Sequence, residues 1–386
     1  MNGLEDDLAL KVVHTADWHL GRAFPSFSEE DQKKLMRARM DAVVRILSLA
    51  RQHAADALLC AGDLFDEPEP DRRWWSTLAS NLAAQGRSDC PVFLLPGNHD
   101  PLRPGSVYSP EHPFRKALPP WVHVVDTEDF SFALGDHAIL HAVPCRSQAG
   151  QGDLTRKLPA RQDGDERIRI GLLHGRTVQL PGQQTNFPLR PQAAEELGFD
   201  YLALGDTHAF EYVLEEPVPV IYPGPPEPTR FDEKDSGSVA LVLFRRRPAP
   251  PKVRREPVGH YRWEERKIGS LQELRSLRLQ PDLNRTVLRL ILDLRVTLQE
   301  DEELQGILEE LKGTEAASGR AAVLVEERRR VELDTEDMDA VAEGLPDVLR
   351  STVRRLRDLE SDAESAALAK RALRHLYRLV KELGTS

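Results

Sequence analysis

The chain has 386 residues, a net charge of −11 at pH 7, 40% hydrophobic and 30% charged residues, and 28 prolines. That is too long for one ordinary domain of about 100–200 residues, too apolar for a disordered chain, and too acidic for a protein that binds nucleic acid over its whole surface. The opening MNGLEDDLALKVV is acidic where a secretory leader is basic, no run approaches the roughly 18 apolar residues of a membrane span, and Cys60, Cys90 and Cys145 are too scattered for a disulfide framework or zinc knuckle, so a cytoplasmic protein without membrane association is expected.

From residue 11 to 244, short runs rich in Val, Ile and Leu alternate with polar or amphipathic stretches, the pattern of a layered α/β domain. Strands are predicted at KVVHTA (11–16), DALLCA (56–61), VFLLP (92–96), AILHAV (138–143), IRIGLL (168–173), YLALG (201–205), PVIYP (219–223) and SVALVLF (238–244). Leu35, Met36, Met40, Val43, Val44 and Leu47 recur at mostly helical spacing between the first two strands, and residues 71–85 suggest a second helix. The first domain is placed at 1–245. Residues 246–267 read as a basic Pro/Arg-rich linker: RRRPAPPKVRR (245–255) holds six basic residues and no acid, and is either a solvated connector or a phosphate contact. Then TVLRLILDLRV, EDEELQGILEELK and AAVLVEERRRV read as strand, helix and strand, a small α+β domain at 268–333.

Residues 334–386 read as amphipathic helices. Leu345, Val348, Leu349, Val353, Leu356 and Leu359 form one stripe, and Leu368, Ala372, Leu376, Leu379 and Leu383 another. Such a pair either covers the chain's own core or docks on a partner. No Gly-x-x-x-x-Gly-Lys-Ser/Thr occurs, so the chain carries no P-loop ATPase.

Five of the predicted strands end in metal-ligand residues. KVVHTA runs into Asp17-Trp18-His19, DALLCA into Gly62-Asp63-Leu64-Phe65-Asp66, VFLLP into Gly97-Asn98-His99-Asp100, IRIGLL into His174-Gly175, and YLALG into Asp206-Thr207-His208. A lone Asp after a strand is usually a turn or a cap, but sites in layered α/β sheets form beyond the carboxyl ends of strands, so five such endings can converge. The set suits hydrolysis of a phosphate ester at two divalent ions about 3.5 to 4 Å apart. Asp63, beside Gly62, is the candidate bridge. Asp17, His19 and His208 would complete one ion, and Asn98, His174 and Asp206 the other. His99 can face the substrate and protonate the leaving oxygen, with Asp100 orienting it. Arg22 and Arg176, just beyond ligand motifs, are candidates for holding phosphate. Carboxylate, imidazole and amide without thiolate favour manganese.

The motifs DWHLG, GDLFD, GNHD, LLHGR and GDTH, in this order, resemble those of the calcineurin-like metallophosphoesterases, and DWHLGR with GDLFDEPEP resembles the SbcD-type DNA repair nucleases. The resemblance covers about residues 11–245. It implies an α/β core of two sheets flanked by helices, a small α+β capping domain, and C-terminal helices that bind the coiled coil of an SMC-like ABC ATPase. It further implies a metal-dependent DNA nuclease subunit, acting as a dimer within a two-by-two complex. One position departs: the family usually ends Gly-His-x-His, and Asp206 replaces the first His. A third carboxylate beside Asp17 and Asp63 makes the site less positive and favours harder ions, unless Asp206 merely caps a turn.

Overall fold

The computed structural model describes residues 8–150, 152–178, 185–312 and 321–384. It divides into two compact units, Met1–Arg262 and Trp263–Ser386. The acidic opening residues 1–7 lie outside the described residues, and no described helix is long and apolar enough to cross a membrane.

The first unit is a sandwich of two six-stranded sheets. In one, β1 (Leu8–Thr15), β2 (Ala57–Cys60), β3 (Val92–Leu94) and β4 (Val122–Val124) run parallel in that order. On the far side of β1, β11 (Ser238–Arg245) and then β12 (Lys252–Pro257) add antiparallel. The second sheet has the order β5 (Phe130–Leu134), β6 (Ala138–Val143), β7 (Ile168–His174), β8 (Tyr201–Gly205), β10 (Val220–Tyr222), β9 (Glu211–Leu214), and its four central strands are parallel. All eight strands predicted from the first domain's sequence form.

Alternation along a strand sends neighbouring side chains to opposite faces, and β1 shows what this accomplishes. Val12 packs between the sheets with Leu59, Phe93, Leu140, Leu172 and Ala203. Val13 faces the other way, onto Val43, Ile46 and Leu47 of α1 (Glu29–Gln52) and Leu78 and Leu82 of α2 (Arg72–Gln85). Both valines are fully buried, each such side chain being worth roughly 1.5–3 kcal/mol. The start of α1 is set by Ser28, whose side chain accepts from Asp31 N, and by an acidic first turn that complements the helix dipole. The outer face of the second sheet is covered by loops and by the short α4 (Ala193–Glu196), through Leu154, Leu158, Phe187 and Phe199. A further short helix, α3 (Pro113–Ala117), packs Phe114 against Phe65.

The stretch expected as a linker, 246–267, is largely strand. β12 pairs along six residues of β11, from Ser238↔Pro257 to Leu243↔Lys252, and β13 (Arg262–Ile268) joins the sheet of the second unit. As an edge strand β12 buries little, so its charged residues hide it from a reading based on apolar runs.

In the second unit, β13 lies beside β14 (Thr286–Thr297), which pairs parallel with β15 (Val323–Asp334) through the crossover helix α6 (Leu298–Lys312). α5 (Leu271–Leu277) adds Leu271, Leu274 and Leu277 to the same core. The C-terminal helices α7 (Asp337–Glu343), α8 (Asp347–Leu359) and α9 (Ala366–Gly384) cover this core with Met338, Val353, Leu373 and Tyr377. The buried Asp301 of α6 holds α9 through Arg374 at 2.7 Å. Val348, Leu359, Leu368 and Leu379, placed on the predicted stripes, are instead exposed; the side chain of Leu383 lies outside the described residues.

Candidate metal centre

β1, β2 and β3 are neighbours in one sheet and β7 and β8 in the other, so the five ligand-bearing strand ends meet at one edge of the sandwich. Main-chain hydrogen bonds join the first two loops: Asp17 N donates to Gly62 O at 3.1 Å, His19 N to Asp63 O at 2.9 Å and Leu20 N to Leu64 O at 2.8 Å. Asp17, His19, Asp63 and Asp206 all have positive φ, a conformation that costs non-glycine residues on the order of 1–3 kcal/mol. They are four of the seven non-glycine residues of that kind among the described residues, so strain gathers where the candidate ligands are. Two glycines make the crowding possible. A Cβ on Gly62 would stand 2.2 Å from His174 Nδ1, and one on Gly97 would stand 2.1 Å from Asp63 Oδ1.

Asp63 lies between two imidazoles. Its Oδ2 is 3.8 Å from His19 Nε2 and its Oδ1 is 3.4 Å from His174 Nε2. On the first side, His208 Nδ1 bonds Glu233 Oε1 at 2.6 Å, which in the neutral ring with its proton at Nδ1 leaves a lone pair at Nε2. That Nε2 faces His19 Nε2 at 3.2 Å, while His19 Nδ1 lies 3.1 Å from Asp66 Oδ1. On the second side, His174 Nδ1 donates to Ala61 O at 2.7 Å, and its Nε2 meets Asn98 Oδ1 at 2.8 Å. With these rings neutral, lone pairs would converge in both places without a donor between them. A shared proton or a cation reconciles that arrangement, and three carboxylates nearby supply the negative charge that a cation needs.

The titration of the group carries the same message. Burial pushes Asp17 up to about 7, with Asp63 and Asp206 adding to the rise against His174 and His208. Burial also acts to raise Asp63, but His174 and His19 outweigh it and hold the carboxyl well below its usual range. For His174, burial disfavours the charged ring, yet Asp63, Asp17 and Asp206 hold its pKa well above the usual value. His19, with the weaker anionic surroundings, is lowered by burial to about 4. Protons are thus held in the cluster by the same charges that would hold a divalent ion.

Among the described residues, Asp17–His19–His208 and Asp17–Asp63–His174 each bring one ligand atom per residue within 4.8 Å of one another. Asp206 lies in the same cluster. Its N–H donates to Asp17 Oδ1 at 3.1 Å, and its Oδ1 is 3.8 Å from His174 Nε2. Asn98 is present through His174. His99 is 40% exposed, the most open imidazole of the cluster, its N–H donating to Asp63 Oδ1 and its ring bonded at Nδ1 to Asp66 O.

Asp100, expected to orient His99, does something else. It is fully buried and accepts from Gly97 N and Phe65 N at 2.9 Å each and from the Tyr108 hydroxyl at 2.7 Å, so it fastens the 97–100 loop to the 62–66 loop. The carbonyl of Asp66 holds the His99 ring in its place. Arg22 bonds Asp66 Oδ1 at 3.2 Å, and Arg176, 60% exposed, brings Nε to 4.0 Å from Asp206 Oδ2. Two further carboxylates to which the sequence reading assigns no role, Asp66 and Glu233, support His19 and His208. Asp66 carries a signal, since it closes the motif GDLFD; Glu233 sits in a loop, FDEKDSG, with no strand to mark it. His14 and His141 are core histidines, bonded to Tyr201 OH and Ser131 Oγ respectively. Trp18 is buried and donates to Thr15 Oγ1. The three cysteines are free and buried.

The site can be compared with known proteins. The uncharacterized metallophosphoesterase YhaO of Bacillus subtilis is 27% identical over 245 residues, covering 60% of this chain and 57% of that one. The SbcD component of the nuclease SbcCD from Rhodobacter capsulatus is 33% identical over 147 residues, 37% of this chain and 33% of its own. The DNA double-strand break repair protein Mre11 of Methanopyrus kandleri is 24% identical over 241 residues, 58% and 50% of the two chains. The matches thus span between a third and somewhat over half of those relatives. The family model described as calcineurin-like phosphoesterase matches residues 10–210, which contain every candidate ligand. With a helix-flanked double sheet, five converging strand ends and His/Asp clusters fit for divalent metal, the chain belongs to the calcineurin-like phosphoesterase family.

Proposed function

We propose that the chain is a DNA phosphodiesterase, the nuclease subunit of a repair complex with an SMC-like ATPase. The observation that carries the chemistry is the position of Asp63, one oxygen toward His19 and the other toward His174, as a bridging carboxylate requires. In this reading Asp17, His19 and His208 would hold one divalent ion, Asn98, His174 and Asp206 would hold the other, and Asp63 would be shared by the two sets. Bound there, the ions would supply Lewis acidity and lower the pKa of a water for attack on phosphorus. An oxygen- and nitrogen-rich donor set with three carboxylates and no thiolate favours manganese.

The chain's own residues set the rest. His99 is exposed at the cluster, so its ring can protonate the leaving oxygen, and the Asp66 carbonyl keeps it in place. Arg176 stands open beside Asp206 and is suited to a non-bridging phosphate oxygen, while Arg22 already bonds Asp66 through Nη1. DNA as substrate, and an ATPase partner, rest on the nuclease and repair proteins among the relatives. The exposed Val348, Leu359, Leu368 and Leu379 on α8 and α9 support a coiled-coil contact; the complex proposed is cytoplasmic and holds two copies of this chain.

The test is manganese-dependent cleavage of labelled single-stranded and duplex DNA, with Asp63→Ala and His99→Ala alongside. Cleavage abolished by Asp63→Ala supports the reading. Cleavage that survives both changes overturns the dimetal site, and hydrolysis of small phosphodiesters without cleavage of DNA points to a stand-alone phosphoesterase.

A further inference from the structure

Arg39 of α1 is 2% exposed, and its guanidinium donates to main-chain carbonyls of two separate loops. Nη1 donates to Trp18 O at 2.8 Å, and Nη2 to Glu227 O and Pro228 O at 3.2 Å each. Trp18 stands between Asp17 and His19. Glu227 and Pro228 open the loop that leads to Glu233, whose carboxylate receives Thr229 N at 2.5 Å, Thr229 Oγ1 at 2.6 Å and His208 Nδ1 at 2.6 Å. One buried cation therefore ties the loop bearing two candidate ligands to the loop that aims a third, and those three are the Asp17–His19–His208 group. His174 is aimed by other means, its Nδ1–H ending on Ala61 O.

The carboxylate of Glu227 extends the connection. It accepts from Arg45 Nη2 at 2.6 Å, from His260 N at 2.5 Å and from Tyr261 N at 3.2 Å. The chain leaves the first unit at Arg262, so its exit is held by the same residue whose carbonyl Arg39 grips. A buried guanidinium is retained only where several acceptors replace water, and the planar fork of arginine can serve two loops at once where a lysine serves one.

Resting on the dimetal reading, we propose that Arg39 and Glu227 form a positioning clamp. It acts directly on the His19–His208 half of the centre and reaches the His174 half only through the shared Asp17, and it ties the first half to the chain leaving the first unit.

The test uses the full chain with Arg39→Lys, which keeps the charge, and with Glu227→Gln, in case Arg39→Lys fails to fold. The first readout is the nitrogen-correlated NMR signals of the histidine rings in metal-free protein. Arg39→Lys should move His19 and His208 further than His174, and Glu227→Gln should move His208 alone of the three. The second is calorimetric titration with manganese: one equivalent should weaken by about 10- to 100-fold in Arg39→Lys, as for other groups that orient metal ligands, and the other should weaken less. Ring signals that do not move, a His174 signal that moves as far as the others, or two equivalents that weaken together would overturn the clamp. If the wild-type protein does not take two equivalents, the dimetal reading fails, while the ring signals still decide whether Arg39 positions His19 and His208.

Discussion

The two halves of the proposed centre are built differently. His19 and His208 are backed by carboxylates, Asp66 and Glu233, carried on loops. His174 is backed by a main-chain carbonyl at the end of β2, and Asn98 stands at its other nitrogen. A carboxylate behind an imidazole makes the ring a stronger ligand, and its support can be lost by one substitution. A carbonyl in a strand end can be moved only by moving the sheet. The first half is therefore tunable and the second half rigid.

Substitutions can break this comparison or sharpen it. The largest effect belongs to the residue common to both halves. Asp63→Ala should lower phosphodiester hydrolysis by on the order of 10³-fold or more, since loss of even one aimed transition-state contact costs about 10²–10³-fold, and calorimetry should show both equivalents of metal weakened. A loss confined to one equivalent would mean that Asp63 belongs to one half only. Next, Glu233→Gln should weaken a single equivalent by about 10- to 100-fold, leaving the His174 half unaltered. Equal weakening of both would erase the distinction between a tunable and a rigid half.

A smaller effect is expected at Asp206. Asp206→His removes one negative charge beside His174 and replaces a hard oxygen by a borderline nitrogen. The preference for manganese over zinc should fall by about tenfold, or 1.4 kcal/mol, measured by competitive metal titration. An unchanged preference would leave Asp206 as a turn residue whose N–H binds Asp17.

These residues are not equally visible in the sequence. Strand ends are legible because an apolar run followed at once by Asp, Asn or His is a local pattern, and five of them at parallel strands must share one edge of a layered sheet. Asp66 is within reach, three residues after Asp63. Glu233 and Arg39 are not: each acts across a sequence separation that no local pattern records, 25 residues to His208 and 188 to Glu227. The role of Asp100 escapes a sequence reading for a related reason, because adjacency to His99 suggests a contact whereas the side chain turns inward to Gly97, Phe65 and Tyr108. β12 is hidden by its edge position, and the C-terminal helices show an apolar periodicity that does not reveal which stripe is buried.

The smallest effect at neutral pH concerns the base on which both halves stand. His14 of β1 is fully buried and bonds Tyr201 OH at 2.9 Å and Leu204 O at 3.2 Å, so it joins the two sheets three residues before Asp17. Burial lowers its pKa to about 3, against the lesser opposing pull of the Leu204 carbonyl. In the unfolded chain the ring takes a proton near pH 6.5, so between pH 6.5 and about 3 the unfolded state binds more protons than the folded one. Stability is then fully present above pH 6.5 and falls as the pH drops through that window, by at most about 1.4 kcal/mol per pH unit. For a unit of this size, 1 kcal/mol is about 2–4 °C in Tm. Thermal unfolding of the wild-type protein and of His14→Gln, followed from pH 8 to pH 4, should show a shallower acid decline in the variant. Its Tm should be lower at pH 8, because the glutamine reproduces only part of the bonding to Tyr201 and Leu204. Parallel declines would mean that the acid sensitivity arises in the metal cluster, and that the sheets hold their edge together without His14.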